Sequence, residues 1–255
     1  TPNGRLFPSQ GVTFKDVTIA RDDSNGVDDG CYMKITADNV VLDNVKFKVI
    51  NPDPVDGPNL GGGIFLAAPN LTVTLKNMTI PENGNHGVFS HSDNSTVILD
   101  NCEFGPNFLN CISFDDDVNN KVRPGKVIAK NTVFNGAVYG ITDSYFESCK
   151  FAHSDRGAWC PMADCYGNVY FKNCEFGKYR RPIPPGYYYD LEPPYDYDYG
   201  VYNSVAGTVI EFTGCRYSNG AAFDKSIFLR GPITPSKIII DGTIYTDMTI
   251  FPWWG

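Results

Sequence analysis

The chain has 255 residues, 42 % of them apolar, and its 29 acidic against 21 basic side chains leave a formal net charge of −8. That charge argues against nucleic acid and anionic lipid as partners. No apolar run reaches the ~18 residues a membrane span requires.

Residues 1–11 read as an extended lead-in without an amphipathic helix. From Val12 onward one short pattern returns along the whole chain: VTFKDVTI at 12–19, VVLDNVKF at 40–47, VTLKNMTI at 73–80, VILDNCEF at 97–104, VIAKNTVF at 127–134, SYFESCKF at 144–151, VYFKNCEF at 169–176, IEFTGCRY at 210–217 and IIIDGTIY at 238–245. Apolar and polar residues alternate with period 2, so each copy is strand. Each copy is interrupted near its middle by Asp16, Asn44, Asn77, Asn101, Asn131, Ser148, Asn173, Gly214 or Gly242. Most of these residue types tolerate unusual backbone angles, so each interruption marks a bend. A further Gly-led run completes the unit, as in GIFLAAPN before the third copy and GVFSHSDN before the fourth. A fixed motif with variable gaps predicts a coil of three short strands joined by loops of unequal length. Nine such coils at ~4.8 Å make a β-solenoid about 40 Å long. Stacking in register puts Asn44, Asn77, Asn101, Asn131 and Asn173 in one ladder, expected inside the solenoid. The unbroken repeat predicts a single domain over 1–255.

The loop 22–30 (DDSNGVDDG) reads either as an acidic turn or as a Ca²⁺ loop, without the spaced carboxylates and closing Glu of the latter. Asn70 and Asn94 occupy the same turn of adjacent coils and head the sequons Asn70-Leu71-Thr72 and Asn94-Ser95-Thr96, so both are expected to carry glycan. A third sequon at Asn77 falls on the ladder, where burial should protect it. Asp93, Asp116 or Asp117, Asp143 and Asp164 are placed in one column of turns, open to Asx-turn chemistry or to Ca²⁺.

Among the eight cysteines, Cys102, Cys149, Cys174 and Cys215 share the position after the bend and should point inward as small filler or bond to one another. Cys160 and Cys165 are a better local disulfide pair. The even count, with a chain opening on Thr1, leads to the expectation of a processed, extracellular protein.

Residues 177–200 break the repeat with a Pro- and Tyr-rich insertion that includes Tyr187, Tyr188, Tyr189, Tyr195 and Tyr197. A long loop on a rigid scaffold is usually functional, and this one reads as a binding arm. Trp253 and Trp254 end the chain and need covering by their own core or by another molecule.

The Gly-led runs followed by V-x-[LF]-[DK]-N-x-x-[FI], with their Asn ladder, resemble the pectate-lyase-like right-handed parallel β-helix family over nearly the whole chain. The resemblance implies an all-β, right-handed parallel β-helix. It also implies that any active site lies on the outer face of the Gly-led strands. The family hosts lyases, hydrolases and structural proteins, so the fold does not fix the activity. Stacking those strands in register gives one outward row of Lys34, Phe65, Phe89, Ser113, Gly140, Trp159, Tyr202 and Phe228. A second row reads Thr36, Ala67, His91, Asp115, Thr142, Pro161, Ser204 and Arg230. His91 beside Asp115 forms a candidate acid–base pair. The catalytic sets that the resemblance implies for lyases and hydrolases are not completed by either row. The aromatics Phe65, Phe89, Trp159, Tyr202 and Phe228 form an outward patch suited to a protein partner or a sugar. The leading expectation is therefore a secreted, glycosylated β-solenoid with a structural or adhesive role, assembling with itself through coil ends and arm. The alternatives are a polysaccharide lyase or hydrolase using His91 and Asp115, and a non-catalytic carbohydrate-binding module.

Overall fold

The computed structural model describes residues 11–22, 31–50, 62–81, 86–105, 110–116, 121–152, 163–177, 201–218, 220, 229–230 and 236–245. Every regular element among them is a β-strand, and nearly all pair in parallel. The chain is a parallel β-solenoid with three faces. The first face stacks nine parallel strands, from Thr13–Lys15 to Lys237–Ile240. The second, Gly-led face stacks eight, from Cys31–Ile35 to Leu229–Arg230. The third stacks six, from Thr79–Ile80 to Arg216–Tyr217, and a separate two-stranded sheet of Thr18–Asp22 and Lys46–Ile50 serves the first two coils.

The bends fall where the repeats place them, and their backbone explains the residues. Asp16, Asn44, Asn77, Asn101, Asn131, Ser148 and Asn173 all have φ between 50° and 54°, with Gly214 at 62°. This is the left-handed region, costly for most side chains and least so for Asn, Asp and Gly. Each bend amide donates to the next coil, as Asn77 N does to Asp100 O at 3.0 Å and Asn101 N to Lys130 O at 3.0 Å.

Two expectations need correction. The Asn ladder is one column, but it stands outside: Asn44, Asn77, Asn101, Asn131 and Asn173 are all exposed. A left-handed residue interrupts the alternation, so the bend residue and the one before it both point out. Leu99 and Cys102 are buried while Asp100 and Asn101 between them are exposed. Side chains still link coils, with Asn101 Nδ2 donating to Asn77 Oδ1 at 2.9 Å and Asn77 Nδ2 to Asp43 Oδ1 at 2.9 Å. The coil count also falls short of nine complete turns. At Asp241–Gly242 both φ angles are positive (46° and 79°), and Thr243–Tyr245 runs back antiparallel on Lys237–Ile240. Asp-Gly between two apolar runs is a hairpin turn, not a coil bend. Among the described residues the ninth coil therefore has Leu229–Arg230 and Lys237–Ile240 but no parallel strand on the third face.

The core is a tube of stacked side chains. Phe104, Phe134, Phe151 and Phe176 form one column with near-parallel rings 5.5, 5.1 and 4.9 Å apart. Phe146, Phe171 and Phe212 form a second, at 5.2 and 5.1 Å. The columns meet edge to face, as Phe151 does with Phe171 at 77°. Cys102, Cys149, Cys174 and Cys215 are buried, unbridged thiols after their bends. Each Sγ lies 3.4 to 3.7 Å from the carbonyl two residues back. Thr132 does the same with its hydroxyl, to Lys130 O at 2.9 Å. Val45 and Met78 fill the same buried position without a donor, and from Cys102 to Cys215 its occupant also serves a carbonyl at the bend. Thr243, on the reversed strand, is exposed and does not join the column.

The outer surface of the first face carries two columns side by side. One is apolar: Ile98, Ile128, Tyr145 and Tyr170 lie in register on successive coils. The other alternates in sign without interruption: Lys15, Asp43, Lys76, Asp100, Lys130, Glu147, Lys172. Lys15–Asp43 (3.7 Å), Lys130–Glu147 (3.8 Å) and Lys172–Glu147 (3.2 Å) are ion pairs along it.

Candidate active site on the Gly-led face

Register on the second face settles which side chains stand in one outward row. Lys34 pairs with Phe65, Phe65 with Phe89, and Phe89 with Ser113, as expected. Ser113 then pairs with Tyr139, not Gly140. Asp164 lies opposite a bulge at Tyr139–Gly140 and pairs onward with Tyr202, which pairs with Arg230. The row thus reads Lys34, Phe65, Phe89, Ser113, Tyr139, Asp164, Tyr202, Arg230. Asp164 stands on the strand Ala163–Cys165, where Trp159 was expected, and Arg230 moves into the row in place of Phe228. Gly140, at φ 74°, marks the bulge beside Tyr139. A bulge with Gly in the left-handed region adds one residue and re-aims the side chains beside it. A side chain at Gly140 would also strike Phe114 O, its ideal Cβ lying 2.7 Å away.

The C-terminal half of the row holds a cluster absent from the sequence reading. Ala163 and Cys165 face the core, so the strand turns Asp164 to the other side, yet Asp164 is only 3 % exposed. Ser204 Oγ donates to Asp164 Oδ1 at 2.8 Å. Burial pushes the Asp164 carboxyl up to about 7, against the opposing pull of that hydrogen bond. Tyr139 and Tyr166 meet edge to face at 6.4 Å, and the Tyr166 phenol interacts electrostatically with Tyr139 and Ser204. Burial raises both phenols, and the nearby Asp164 carboxylate adds to the effect. Asp115 acts on Tyr139 in the same sense, which brings it electrostatically into the group. Asp164, buried, and Tyr139, Tyr166 and Ser204, half-buried, thus form one set on three successive coils.

The N-terminal half is an aromatic strip. Phe65 and Phe89 stack at 4.6 Å and 9°, and Lys34 Nζ sits 5.7 Å from the Phe65 ring centre. His91 lies one coil from Asp115, as expected from Ser90 pairing with Phe114. Its ring also packs on Phe65 and Phe89, at 5.2 and 5.5 Å. His86 is buried against Phe89 at 5.7 Å, with Asn110 Nδ2 at 3.4 Å from its Nδ1.

The supposed Asp column does not assemble. Asp93 is exposed and paired with Arg123 at 3.0 Å, Asp143 occupies a left-handed turn at φ 45°, and Asp164 is buried on its strand. Among the described residues, no group of three or more His, Cys, Asp or Glu is placed to hold a metal ion. Asn70 and Asn94 are exposed at φ 60°, with Asn94 Nδ2 donating to Asn70 Oδ1 at 3.1 Å. Asn77 is exposed too, so its expected protection by burial is wrong. Cys165 is a fully buried, unbridged thiol. Cys160, Trp159, Pro161, Phe228, Tyr187, Tyr188, Tyr189, Tyr195, Tyr197, Trp253 and Trp254 lie outside the described residues, as does loop 23–30. Tyr202 and Arg230 are placed by their strands alone.

Fold and row together define a parallel β-solenoid with an aromatic strip and a buried-carboxyl cluster on one face. Compared with known protein families, curated proteins and solved structures, the chain finds no match in any of the three. No helix among the described residues is long and apolar enough to cross a membrane.

Proposed function

We propose that the protein is an extracellular, polysaccharide-active β-solenoid that holds a glycan along the Gly-led face and cleaves it with Asp164 as proton donor. The observation that carries this reading is Asp164: an outward-facing but buried carboxyl, held by Ser204 and pushed up to about 7. A general acid works best with a pKa near the working pH, and a desolvated carboxyl beside polar partners is how proteins supply one. The resemblance to pectate-lyase-like β-helices supports the same face. Phe65 and Phe89, stacked on each other, offer a ridge of apolar ring edges for sugar rings to pack on, with His91 and Lys34 beside it. In the cleavage step, Asp164 gives its proton to the glycosidic oxygen as the bond to the anomeric carbon breaks. Asp115, with His91 one coil away, takes a proton from the water that attacks that carbon. Ser204 orients the acid, with the Tyr139 and Tyr166 rings packed beside it.

The test is reducing-end release from a panel of neutral and acidic polysaccharides, with binding measured in parallel. Asp164→Asn should lose ~10²-fold or more in turnover while retaining binding. Phe65→Ala with Phe89→Ala should weaken binding instead. Cleavage in the parent that survives Asp164→Asn refutes the role of Asp164. Binding without cleavage in the parent leaves a carbohydrate-binding module. A structural, self-assembling role is a second reading, favoured by the apolar column exposed on the first face. If the coil ends and the 177–200 arm carry that assembly, deleting 183–198 stops it and leaves the solenoid folded.

A further inference from the structure

The first face lies on another side of the solenoid from Asp164, and its surface is unusual in two independent ways. Ile128 and Tyr145, on adjacent coils, are 37 % and 40 % exposed, among the most exposed large apolar side chains described. Ile98 and Tyr170 extend the column by one coil each way, with Tyr145 and Tyr170 rings 6.3 Å apart. This apolar block has its centre between the strands Lys126–Lys130 and Ser144–Glu147. Two residues further along each strand runs the alternating charge column.

We propose that two copies of the chain pack first face to first face, with their long axes antiparallel, about a twofold axis passing between those two strands. The apolar block alone fixes that axis. It sets Ile128 against the partner copy's Tyr145, and Ile98 against the partner copy's Tyr170. The charge column independently fits the same axis. An axis between coils sets each coil against one of opposite parity, so Lys130 meets the partner copy's Glu147 and Asp100 meets the partner copy's Lys172. An axis centred on a strand would set like charge on like along the whole column.

A parallel pair about an axis along the solenoid fares worse. It sets Lys130 against the partner copy's Lys126 and Glu147 against the partner copy's Asp143, like charges in both cases. Further out, the antiparallel arrangement pairs Val41 with the partner copy's Ile239, both half-buried in the single chain. Only the outermost pair, Asp43 against Asp241, is of like sign, and it sits at the end of the overlap where solvent screens it. Eight overlapping coils of about 4.8 Å, with strands of five residues at about 3.4 Å, give roughly 650 Å² of face per partner. That approaches the ~800 Å² of a standard interface, and strands of the two sheets run nearly aligned as packed sheets prefer. The occupant best fitted to a column of this parity is a second copy of the same column.

This inference does not rest on the glycan reading, since it uses no residue of the Gly-led face. The test is sedimentation velocity of the full chain across a concentration series, with circular dichroism as the control for folding. The parent should show a monomer–dimer equilibrium that weakens as salt is raised. Tyr145→Glu should raise the midpoint concentration at least tenfold; Ile128→Lys serves the same purpose if the first variant does not fold. Orientation is tested by mixing two single variants, Asp100→Cys and Lys172→Cys, under mild oxidation. The mixed pair should cross-link at least tenfold more than either variant with itself. A parent that stays monomeric throughout overturns the proposal. So does a dimer indifferent to both face variants, or cross-linking that favours Asp100→Cys with itself.

Discussion

Asn101 offers a direct test of how the coil is built. Its φ is 54°, its amide is bonded to Lys130 O, and its side chain donates to Asn77 Oδ1 at 2.9 Å in an exposed position. Replacing it with Ala removes that exposed hydrogen bond, worth ~0.5 kcal/mol, and forces a Cβ-bearing residue into the left-handed region at about 1–2 kcal/mol. The expected loss is about 2 kcal/mol. Replacing it with Gly removes the same hydrogen bond but no backbone penalty remains, and the added freedom of the unfolded chain costs roughly 0.5–1 kcal/mol. Asn101→Gly should therefore be the more stable variant by about 1 kcal/mol. At Thr74, in the strand Thr72–Lys76, the order should invert, because there Gly brings only its entropy cost. Urea denaturation reads both pairs as midpoint shifts at constant slope. If Ala and Gly are equal at 101, or rank alike at 101 and 74, the left-handed bend is not what selects Asn there.

Asp164 binds its proton more tightly folded than unfolded, so its contribution to stability falls as pH rises from about 4 to about 7. Asp164→Asn should match the parent near pH 4 and exceed it above pH 7 in thermal melts; a constant difference across that range refutes the shift. Cys174→Thr keeps a donor for Lys172 O, whereas the isosteric Cys174→Val does not, so Thr should be the more stable by ~1 kcal/mol in denaturant titration. Phe151→Ala opens a cavity where two ring columns meet and should cost ~3–5 kcal/mol, read by the same titration. In a glycosylating host, peptide mass mapping should find sugar on Asn70 and Asn94 and not on Asn77, whose side chain is tied to the coils on both sides, at Nδ2 to Asp43 and at Oδ1 to Asn101.

The fold was legible because a solenoid writes each coil in the sequence, and the bend residue is constrained by its own backbone. The seven bends at φ 50–54° are the positions the repeat picks out. The side to which the ladder faces was not legible, because strict alternation takes no account of the residue a left-handed bend adds to the outside. Asp164 reads as a turn residue because Gly157 looks like the lead of its strand and so points to Trp159, two residues on, whereas the strand is Ala163–Cys165. Tyr139 is a one-residue slip, since the bulge at Gly140 sets Tyr139 in the row. A Gly within a strand pattern is a recognised sign of a bulge, so the signal was present. The hairpin at Asp241–Gly242 was likewise written as Asp-Gly between apolar runs. The burial of Asp164 depends on neighbours distant in sequence, Ser204 among them, and no local pattern carries it.

The alternating column on the first face bears on how such a chain can grow or shrink. Excising the single coil that carries Lys76 would stack Asp43 on Asp100, and the signs would clash at the seam. Excising two coils would stack Asp43 on Lys130 and leave the alternation intact. Each clash at this exposed position costs no more than ~1 kcal/mol, which is still several-fold in the folded population. Duplications and deletions that survive in this lineage should therefore come as coil pairs, so that the heritable module of the solenoid is twice its structural repeat.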